Sequence, residues 1–191
     1  MRICILTSRA IENQYLEKFW GVSHSLLRLV KAEGFQPLIV DASVDLELFD
    51  LISPTLVIFT GGESLGVDQE RDSFESALLD LCFRKKVPSL GICRGLQLIA
   101  LHCGGLIEPI ENHVRSRHLI NGRFGGFVNS FHELGIAQVP TNFRVEAQAL
   151  DGSVEAIFNP NKKCLGVMWH PEREECEIPF GDLIATLGLK E

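Results

Sequence analysis

The feature that most constrains this chain is a cysteine, Cys93, with a glycine two positions away on either side, Gly91 and Gly95. The apolar run before it, residues 87–90, predicts a buried strand, and residues 96–102 predict a helix. A sharp turn between them strains the backbone of the central residue, and side chains at the two glycine positions would collide. The pattern therefore predicts a nucleophile elbow with a cysteine nucleophile.

The predicted helix after Cys93 also bears on the chemistry of the thiol. Its first amides and the positive end of its dipole would point at the sulfur, which favours the thiolate and lowers its pKa. The structural alternative is a small buried core residue beside packing glycines. With the reactive interpretation, we expect iodoacetamide to alkylate Cys93 faster than the other five cysteines below neutral pH.

Apolar strands alternate with helices through the first hundred residues. The predicted strands cover residues 2–7, 37–40 and 56–59, and the predicted helices cover residues 23–33, 45–52 and 72–84. Strands that are apolar throughout are typical of a parallel sheet covered on both faces. The fold class is therefore α/β, with three layers in the order α/β/α and a central, mainly parallel sheet.

Beyond Gly105 the pattern changes to shorter segments, several of which alternate apolar with polar residues. These segments predict largely antiparallel strands at residues 127–132, 143–149, 154–158 and 164–169. A last amphipathic helix is predicted over residues 180–189. With neither an internal repeat nor a linker in the sequence, we predict a single domain over residues 1–191 with a mostly antiparallel C-terminal extension.

Charge and cysteine usage exclude several classes of partner. The formal net charge of −7 argues against nucleic acid and supplies no polybasic anchor for a membrane surface. Several of the six cysteines lie in apolar segments without a C-x-x-C pair, which is typical of a reducing cytosol. The first apolar run is too short for a signal peptide, and none is long enough to span a bilayer. We therefore predict a cytoplasmic location.

A polar and aromatic insert, residues 8–21, separates the first strand from the first helix. It is long for a connection in an α/β unit, and such loops are often functional. Two interpretations stay open: a lid that faces the substrate, or simple packing of Phe19 and Trp20 on the neighbouring helix.

A cysteine nucleophile needs a base, and the base needs a group that orients it. His170 and Glu172 follow the last predicted strand and are separated by Pro171. In extended chain, residues two apart point the same way, so Glu172 can accept a hydrogen bond from one imidazole nitrogen while the other faces Cys93. The predicted catalytic residues are therefore Cys93, His170 and Glu172.

Acyl transfer also needs donors for the oxyanion that develops on the carbonyl. The amide of Arg94, at the helix start, is one candidate, and an amide of the pair Gly61 and Gly62 is the other. Gly61 and Gly62 follow the strand over residues 56–59, and ligands gather at the carboxyl ends of parallel strands. This glycine pair is not a phosphate-binding loop, since the Lys-Ser/Thr ending is missing.

These residues together resemble the class I, or triad-type, glutamine amidotransferase family and, within it, the stand-alone γ-glutamyl hydrolase branch. The matching segments, in the family's order, are residues 60–64, 90–97, 129–132, 151–156 and 166–172. The resemblance implies a flavodoxin-like fold, attack of Cys93 on a γ-glutamyl amide, a γ-glutamyl thioester and release of glutamate by water. It also implies that Gln97, Ser130 and Phe131 hold the glutamyl group, without a cofactor. The resemblance further implies that the amides of Gly62 and Arg94 form the oxyanion hole.

The resemblance leaves the released amine and the partners open. The motifs at residues 93–97 and 128–132 look more like the hydrolase branch, and residues 70–72 and 111–113 look similar to small hydrolases that cleave γ-glutamyl amides of nucleotides. The main alternative is a glutaminase subunit that supplies ammonia to a separate synthase partner. A third alternative is a binding module that keeps the elbow for structure; a homo-oligomer also stays open.

A histidine-rich segment raises the question of a metal site. His113 and His118 lack a matching carboxylate or cysteine spacing, so the sequence favours loop residues and predicts no metal. Together with Arg115 and Arg117 they form an alternative candidate site for an anionic substrate group. Two further positions are interpreted without a direct role in chemistry: His132 as a loop support or a substrate contact, and Glu155 as an exposed strand residue.

Overall fold

A nine-stranded sheet forms the centre of the computed structural model, which describes residues 1–190. Its strands, in the order in which they lie side by side, are β4 (Gln36–Val40), β1 (Ile3–Thr7), β5 (Leu56–Phe59), β6 (Ser89–Ile92), β13 (Cys164–Val167), β12 (Val154–Asn159), β11 (Arg144–Ala149), β8 (Val114–Gly122) and β9 (Gly126–Phe131). Two smaller pairs are β2 (Arg9–Glu12) with β3 (Lys18–Gly21), and β7 (Leu106–Pro109) with β10 (Leu134–Gln138). The α-helices of the described chain are α1 (His24–Ala32), α2 (Phe49–Ile52), α3 (Gln69–Lys85), α4 (Arg94–His102) and α5 (Phe180–Thr186).

The sheet has a parallel half and an antiparallel half. Strands β4, β1, β5, β6 and β13 run parallel, whereas β13, β12, β11, β8 and β9 form antiparallel pairs. The predicted α/β class with a central parallel sheet is confirmed. The antiparallel strands continue the same sheet, because β13 pairs parallel with β6 on one side and antiparallel with β12 on the other.

The inner parallel strands carry the apolar core. Every residue of Leu56–Phe59 is fully buried, as expected for a strand covered on both faces. Helix boundaries follow local signals: the Ser23 hydroxyl accepts from the Leu26 amide at the start of α1. Helix α3 begins three residues before its predicted start at residue 72, because the Asp68 carboxylate caps it by accepting from the Arg71 amide. No helix within residues 1–190 is long and apolar enough to cross a membrane.

The insert at residues 8–21 is a β-hairpin rather than an irregular loop. Asn13 organises its turn, since its side-chain oxygen accepts from the amides of Tyr15 and Glu17. Phe19 and Trp20 remain 50% and 43% exposed, so neither side chain is packed into the core. Strands β7, β8 and β10 were not predicted either, because segments such as Val114–Gly122 are rich in polar and charged residues.

Candidate active site

The turn between β6 and α4 has the geometry of an elbow. Cys93 lies between the two elements with φ +51° and ψ −103°, a conformation that L residues rarely adopt. A Cβ at Gly91 would lie 2.5 Å from the carbonyl oxygen of Gly95, and a Cβ at Gly95 would overlap the carbonyl oxygen of Phe59. Both positions therefore require glycine, which is the constraint that the sequence pattern predicted.

The Cys93 thiol is held in its neutral form by burial. Its residue is only 6% exposed, and desolvation raises the pKa of the thiol to about 11, although the Arg94 amide donates to the sulfur and Arg173 favours the anion. The lowered pKa expected from the helix end alone is wrong, because burial outweighs the helix. A base must therefore take the proton when the sulfur attacks.

This direction of the pKa predicts how the free enzyme reacts with iodoacetamide. The alkylation rate constant of Cys93 should rise about tenfold per pH unit from about pH 7 to about pH 10, since the thiolate fraction does so below the thiol pKa. Mass spectrometry of the peptide that carries Cys93 measures this rate. A plateau of the rate near neutral pH would show that the thiolate is already formed and contradict the prediction.

The sheet brings His170 to the same edge as the Cys93 thiol. Val167 is paired with Ile92 in the parallel register of β13 and β6, and the Cys93 amide donates to the Val167 carbonyl at 2.8 Å. His170 follows Val167 by three residues, so it leaves the carboxyl end of the strand next to the one that ends at Cys93. The arrangement that the triad hypothesis requires is therefore present at the level of the strands.

His170 is positioned by two side chains. Its Nδ1 lies 2.8 Å from Oε1 of Glu172. Burial raises and the His170 hydrogen bond lowers the pKa of Glu172, and the net direction is downward, so the carboxylate stays ionised. Asn129 clamps the backbone on the other side: its oxygen accepts from the His170 amide and its nitrogen donates to the His170 carbonyl, both at 2.9 Å. Asn129 lies in the segment 129–132 that carries the family resemblance, but its role in holding His170 was not predicted.

The loop after β5 fits between His170 and Arg71 only because it is made of glycines. A Cβ at Gly61 would lie 2.7 Å from Cε1 of His170, and one at Gly62 would lie 2.5 Å from Nη1 of Arg71. The Arg71 guanidinium donates to the carbonyl of Gly61 at 3.3 Å. Because the N–H of a trans peptide points away from its C=O, this bond turns the Gly62 amide to the opposite side of the loop. The Gly62 amide therefore faces away from Arg71.

A buried network of charges joins this loop to the elbow. Glu75 of α3 is fully buried between Arg71, at 3.0 Å, and Arg94, the first residue of α4. Arg71 also pairs with Glu63 at 2.8 Å, and Arg94 pairs with Asp72. The two arginines thus connect α3, the glycine loop and the residue after Cys93. The sequence analysis missed this network, although the four-residue spacing of Arg71 and Glu75 on one helix was visible.

Comparison with known proteins identifies the family of this chain. The sequence profile of the peptidase C26 family matches residues 50–122 and 111–172. The chain belongs to this family. It is 30% identical over 148 residues to a γ-glutamyl-CDP-amidate hydrolase of Campylobacter jejuni, a match that covers 74% of each chain. It is 32% identical over 154 residues to a γ-glutamyl-γ-aminobutyrate hydrolase of Escherichia coli O157:H7, covering 64% of this chain and 61% of that one.

The fold of the C26 chain is also shared with a solved structure. A putative GMP synthase subunit from Thermoplasma acidophilum superposes with a TM-score of 0.79 over 98% of this chain and 95% of that chain, at 18% identity. At this identity the likeness describes the architecture. It shows that the antiparallel strands and the parallel half together form an arrangement that also occurs in that solved structure.

The three predicted substrate contacts of the C26 chain have different surroundings. The Gln97 side chain is 5% exposed and donates to the Leu134 carbonyl at 3.0 Å. Ser130 is fully buried, and its hydroxyl donates to the His113 carbonyl at 2.7 Å. Phe131 is 39% exposed, with its ring 5.9 Å from the His170 ring. Phe131 therefore borders the site from outside. The Ser130 hydroxyl and the Gln97 amide nitrogen, by contrast, already donate hydrogen bonds to backbone carbonyls within the protein.

The histidine-rich segment differs from its predicted structure. His118 lies within β8, and His113 directly precedes that strand with 1% exposure, so neither is a loop residue in open solvent. Glu155 is fully buried rather than exposed, because β12 is an inner strand. The proposed anionic subsite is not assembled, since His113 is buried and Arg117 pairs with Glu177 at 2.6 Å.

The contact between Gly61 and His170 makes a prediction for catalysis. Gly61→Ala should lower kcat by about 100-fold, because the new methyl group displaces the imidazole and misplacement of about 1 Å has an effect of this size. Steady-state glutamate release measures the change. Gly125→Ala is the matched control, since a Cβ there meets only a carbonyl oxygen at 3.9 Å. Equal kcat in the two variants would contradict the placement of His170 in the reaction.

Proposed function

We propose that the protein hydrolyses the γ-glutamyl amide bond of a small amine or nucleotide conjugate, with Cys93 as nucleophile, His170 as base and Glu172 as its partner. The observation that carries this proposal is the parallel pairing of β6 and β13. Because of this pairing, the strand that leads to Cys93 and the strand that leads to His170 end at the same edge of the sheet. The C26 family and the named activities of the two relatives support the γ-glutamyl C–N bond as the one that is cleaved.

The geometry supports a two-step mechanism. As the Cys93 sulfur bonds to the γ-carbonyl carbon, the free imidazole nitrogen of His170 takes the thiol proton, and Glu172 stabilises the imidazolium. The amides of Gly62 and Arg94 stabilise the oxyanion. The C–N bond then breaks, and the amine leaves with the proton from His170. Water, deprotonated by His170, cleaves the γ-glutamyl thioester, which releases glutamate and restores the thiol.

Two arginines support a leaving group that carries negative charge. Arg9 of the hairpin and Arg173 both line the cleft that also holds His170 and Gly61. Arg173 stacks on the Phe131 ring at 4.3 Å, which fixes its guanidinium at the cleft wall. Guanidinium groups bind phosphates and carboxylates by charge-assisted hydrogen bonds, so the hairpin contributes to recognition of an anionic conjugate.

The position of Arg9 predicts a selective effect on affinity. Arg9→Ala should raise KM for a phosphate-bearing γ-glutamyl conjugate by about 10- to 100-fold, the loss of one hydrogen bond to a charged group. KM for glutamine, which lacks an anionic leaving group, should change by less than about twofold. Arg84→Ala on the exposed end of α3 is the control. An equal rise in KM for both substrates would contradict the role of Arg9 in binding a negatively charged leaving group.

The function is tested with the isolated protein. Glutamate release is measured from glutamine, from neutral γ-glutamyl amines and from γ-glutamyl nucleotide amidates, without any second protein. Efficient turnover of a conjugate supports a stand-alone hydrolase. Weak turnover of glutamine alone, which rises when a synthase is added, would instead establish the glutaminase subunit with a synthase partner. The mass of the active species in solution distinguishes a monomer from a homo-oligomer.

A cytoplasmic location is part of this proposal. The six cysteines are free thiols, and Cys4, Cys82 and Cys164 lie fully buried in the apolar core. Buried thiols of this kind are typical of proteins from reducing compartments.

A further inference from the structure

We infer that His113, His118 and Glu155 form a site for one divalent transition metal ion of the Zn²⁺ type, with His132 beside it. The residues of this histidine cluster lie in or directly next to β8, β9 and β12, and His132 directly follows the strand that carries Ser130 and Phe131. One ligand atom each from His113, His118 and Glu155 lies within 4.8 Å of the other two. The inference is independent of the proposed reaction, because none of these residues takes part in it.

A buried carboxylate lies at the centre of the cluster. Glu155 is fully buried, and neither of its oxygens has a hydrogen-bond partner within residues 1–190. The buried Nε2 of His118 also lacks one in the described chain and lies 3.5 Å from Oε1 of Glu155. A buried carboxylate without a hydrogen bond is strongly destabilising, so a cation is needed beside it, either a protonated imidazole or a metal ion.

The imidazole rings of His113 and His132 each form a hydrogen bond that points out of the cluster. Nε2 of His113 lies 2.9 Å from a carboxylate oxygen of Asp151, and Nδ1 of His132 lies 3.1 Å from the carbonyl of Leu134. Both outer atoms are acceptors, so each ring carries its proton on the outer nitrogen. A histidine that donates outward to a carboxylate or carbonyl while its other nitrogen faces inward is the usual arrangement around a metal.

The inner nitrogens of these two rings then face each other as lone pairs. Nδ1 of His113 and Nε2 of His132 are 3.2 Å apart, and they lie 3.4 and 3.6 Å from Oε1 of Glu155. Two lone pairs and a carboxylate repel one another unless a cation lies between them. The arrangement admits either an additional proton on a histidine or a metal ion.

The distances to the Glu155 carboxylate favour the metal, whereas the 3.2 Å between His113 and His132 also fits a hydrogen bond. Separations of 3.4 to 3.6 Å exceed those of well-formed N–H···O hydrogen bonds, about 2.7–3.2 Å. Ligand atoms on a tetrahedral zinc ion with bonds of about 2.0–2.1 Å lie about 3.3–3.4 Å apart. Imidazole nitrogen with one carboxylate oxygen is a donor set that suits Zn²⁺ and neighbouring transition metals better than Mg²⁺ or Ca²⁺. The sequence-based expectation of no metal rested on a missing carboxylate, which Glu155 supplies.

The cluster is connected to the active site through one strand. The His113 carbonyl accepts from the Ser130 hydroxyl at 2.7 Å and from the His132 amide at 3.0 Å. Asn129, the next residue along β9, clamps the backbone of His170. A bound metal would therefore act as a positioning site that fixes the end of β9, and it would take no part in the bonds that form and break.

The test is a binding measurement on the whole protein. Metal is removed with a chelator, and Zn²⁺ and Co²⁺ are titrated in separately. We expect about one equivalent per chain, and for Co²⁺ the visible absorption bands of a tetrahedral site. His118→Gln and Glu155→Gln should each weaken binding by at least about 100-fold, because each removes a direct ligand. Glu155→Gln is isosteric, and His118 is the most exposed ligand, so at least one of them is expected to fold.

The controls separate this site from surface histidines. His102→Gln removes an imidazole that pairs with Asp80 far from the cluster, and it should bind the metal as the wild type does. Circular dichroism confirms that each variant is folded. Binding of less than about 0.1 equivalent by the wild type, or unchanged affinity in folded His118→Gln, would overturn the metal site. The charge of Glu155 would then be balanced by an additional proton on one of the histidines.

Discussion

Cys93→Ala is expected to lower the rate of γ-glutamyl amide hydrolysis by at least about 10⁴-fold while leaving the fold unchanged. In the proposed mechanism the substitution removes the sulfur that forms the thioester, and neither the proposed oxyanion amides nor His170 can replace a nucleophile. The left-handed backbone at residue 93 is equally strained for alanine and cysteine, so little change in stability is expected. Glutamate release under saturating substrate measures the loss.

The matched control is another cysteine to alanine change. Cys103 ends α4 at the opposite end from Cys93 and is a free, partly exposed thiol. Cys103→Ala should keep kcat within about twofold of the wild type. Trapping of a γ-glutamyl adduct on the peptide that carries Cys93, seen by mass spectrometry, would support the covalent step. Turnover by folded Cys93→Ala at the wild-type rate would disprove the mechanism.

Arg71→Met is expected to lower the free energy of unfolding by about 3–5 kcal/mol, because it leaves the buried Glu75 carboxylate short of one cation. The same change releases the Gly61 carbonyl, and with it the orientation of the Gly62 amide. Since loss of one oxyanion donor lowers kcat by about 10²- to 10³-fold, the folded variant should also be slow. Urea denaturation and steady-state kinetics below the unfolding midpoint measure the two effects separately.

The control for Arg71 lies on the same helix. Lys85 ends α3 and pairs with Asp50 at 2.8 Å, but both side chains are largely exposed. Lys85→Met should change the free energy of unfolding by no more than about 1 kcal/mol, as is usual for surface ion pairs. If the two methionine variants were equally stable, the buried network would contribute no more than a surface pair.

Much of the architecture follows from local patterns in the sequence. The apolar strands Leu56–Phe59 and Ser89–Ile92 and the turn at Cys93 are governed by residues within a few positions of one another. Gly91 is required because of a contact with Gly95 inside the same turn. The pairing of His170 with Glu172 likewise depends on a spacing of two residues. Such features are legible without knowing which strands are neighbours.

Other features depend on contacts between distant segments. Only the pairing of β13 with β6 decides that His170 comes to the edge where Cys93 lies. Only the inner position of β12 decides that Glu155 is buried among histidines from β8 and β9. The raised pKa of the Cys93 thiol also follows from the side chains that cover it, since desolvation depends on the whole environment of the sulfur.

By itself, the sequence determined the strand–turn–helix at Cys93, the α/β class and the chemical types of the residues available for acyl transfer. Tertiary structure alone decided the protonation state of the thiol, the network of Arg71 and Arg94 around Glu75, and the cluster around Glu155. The physical reason is that backbone geometry is governed by near neighbours along the chain, whereas burial and charge pairing are governed by neighbours in space.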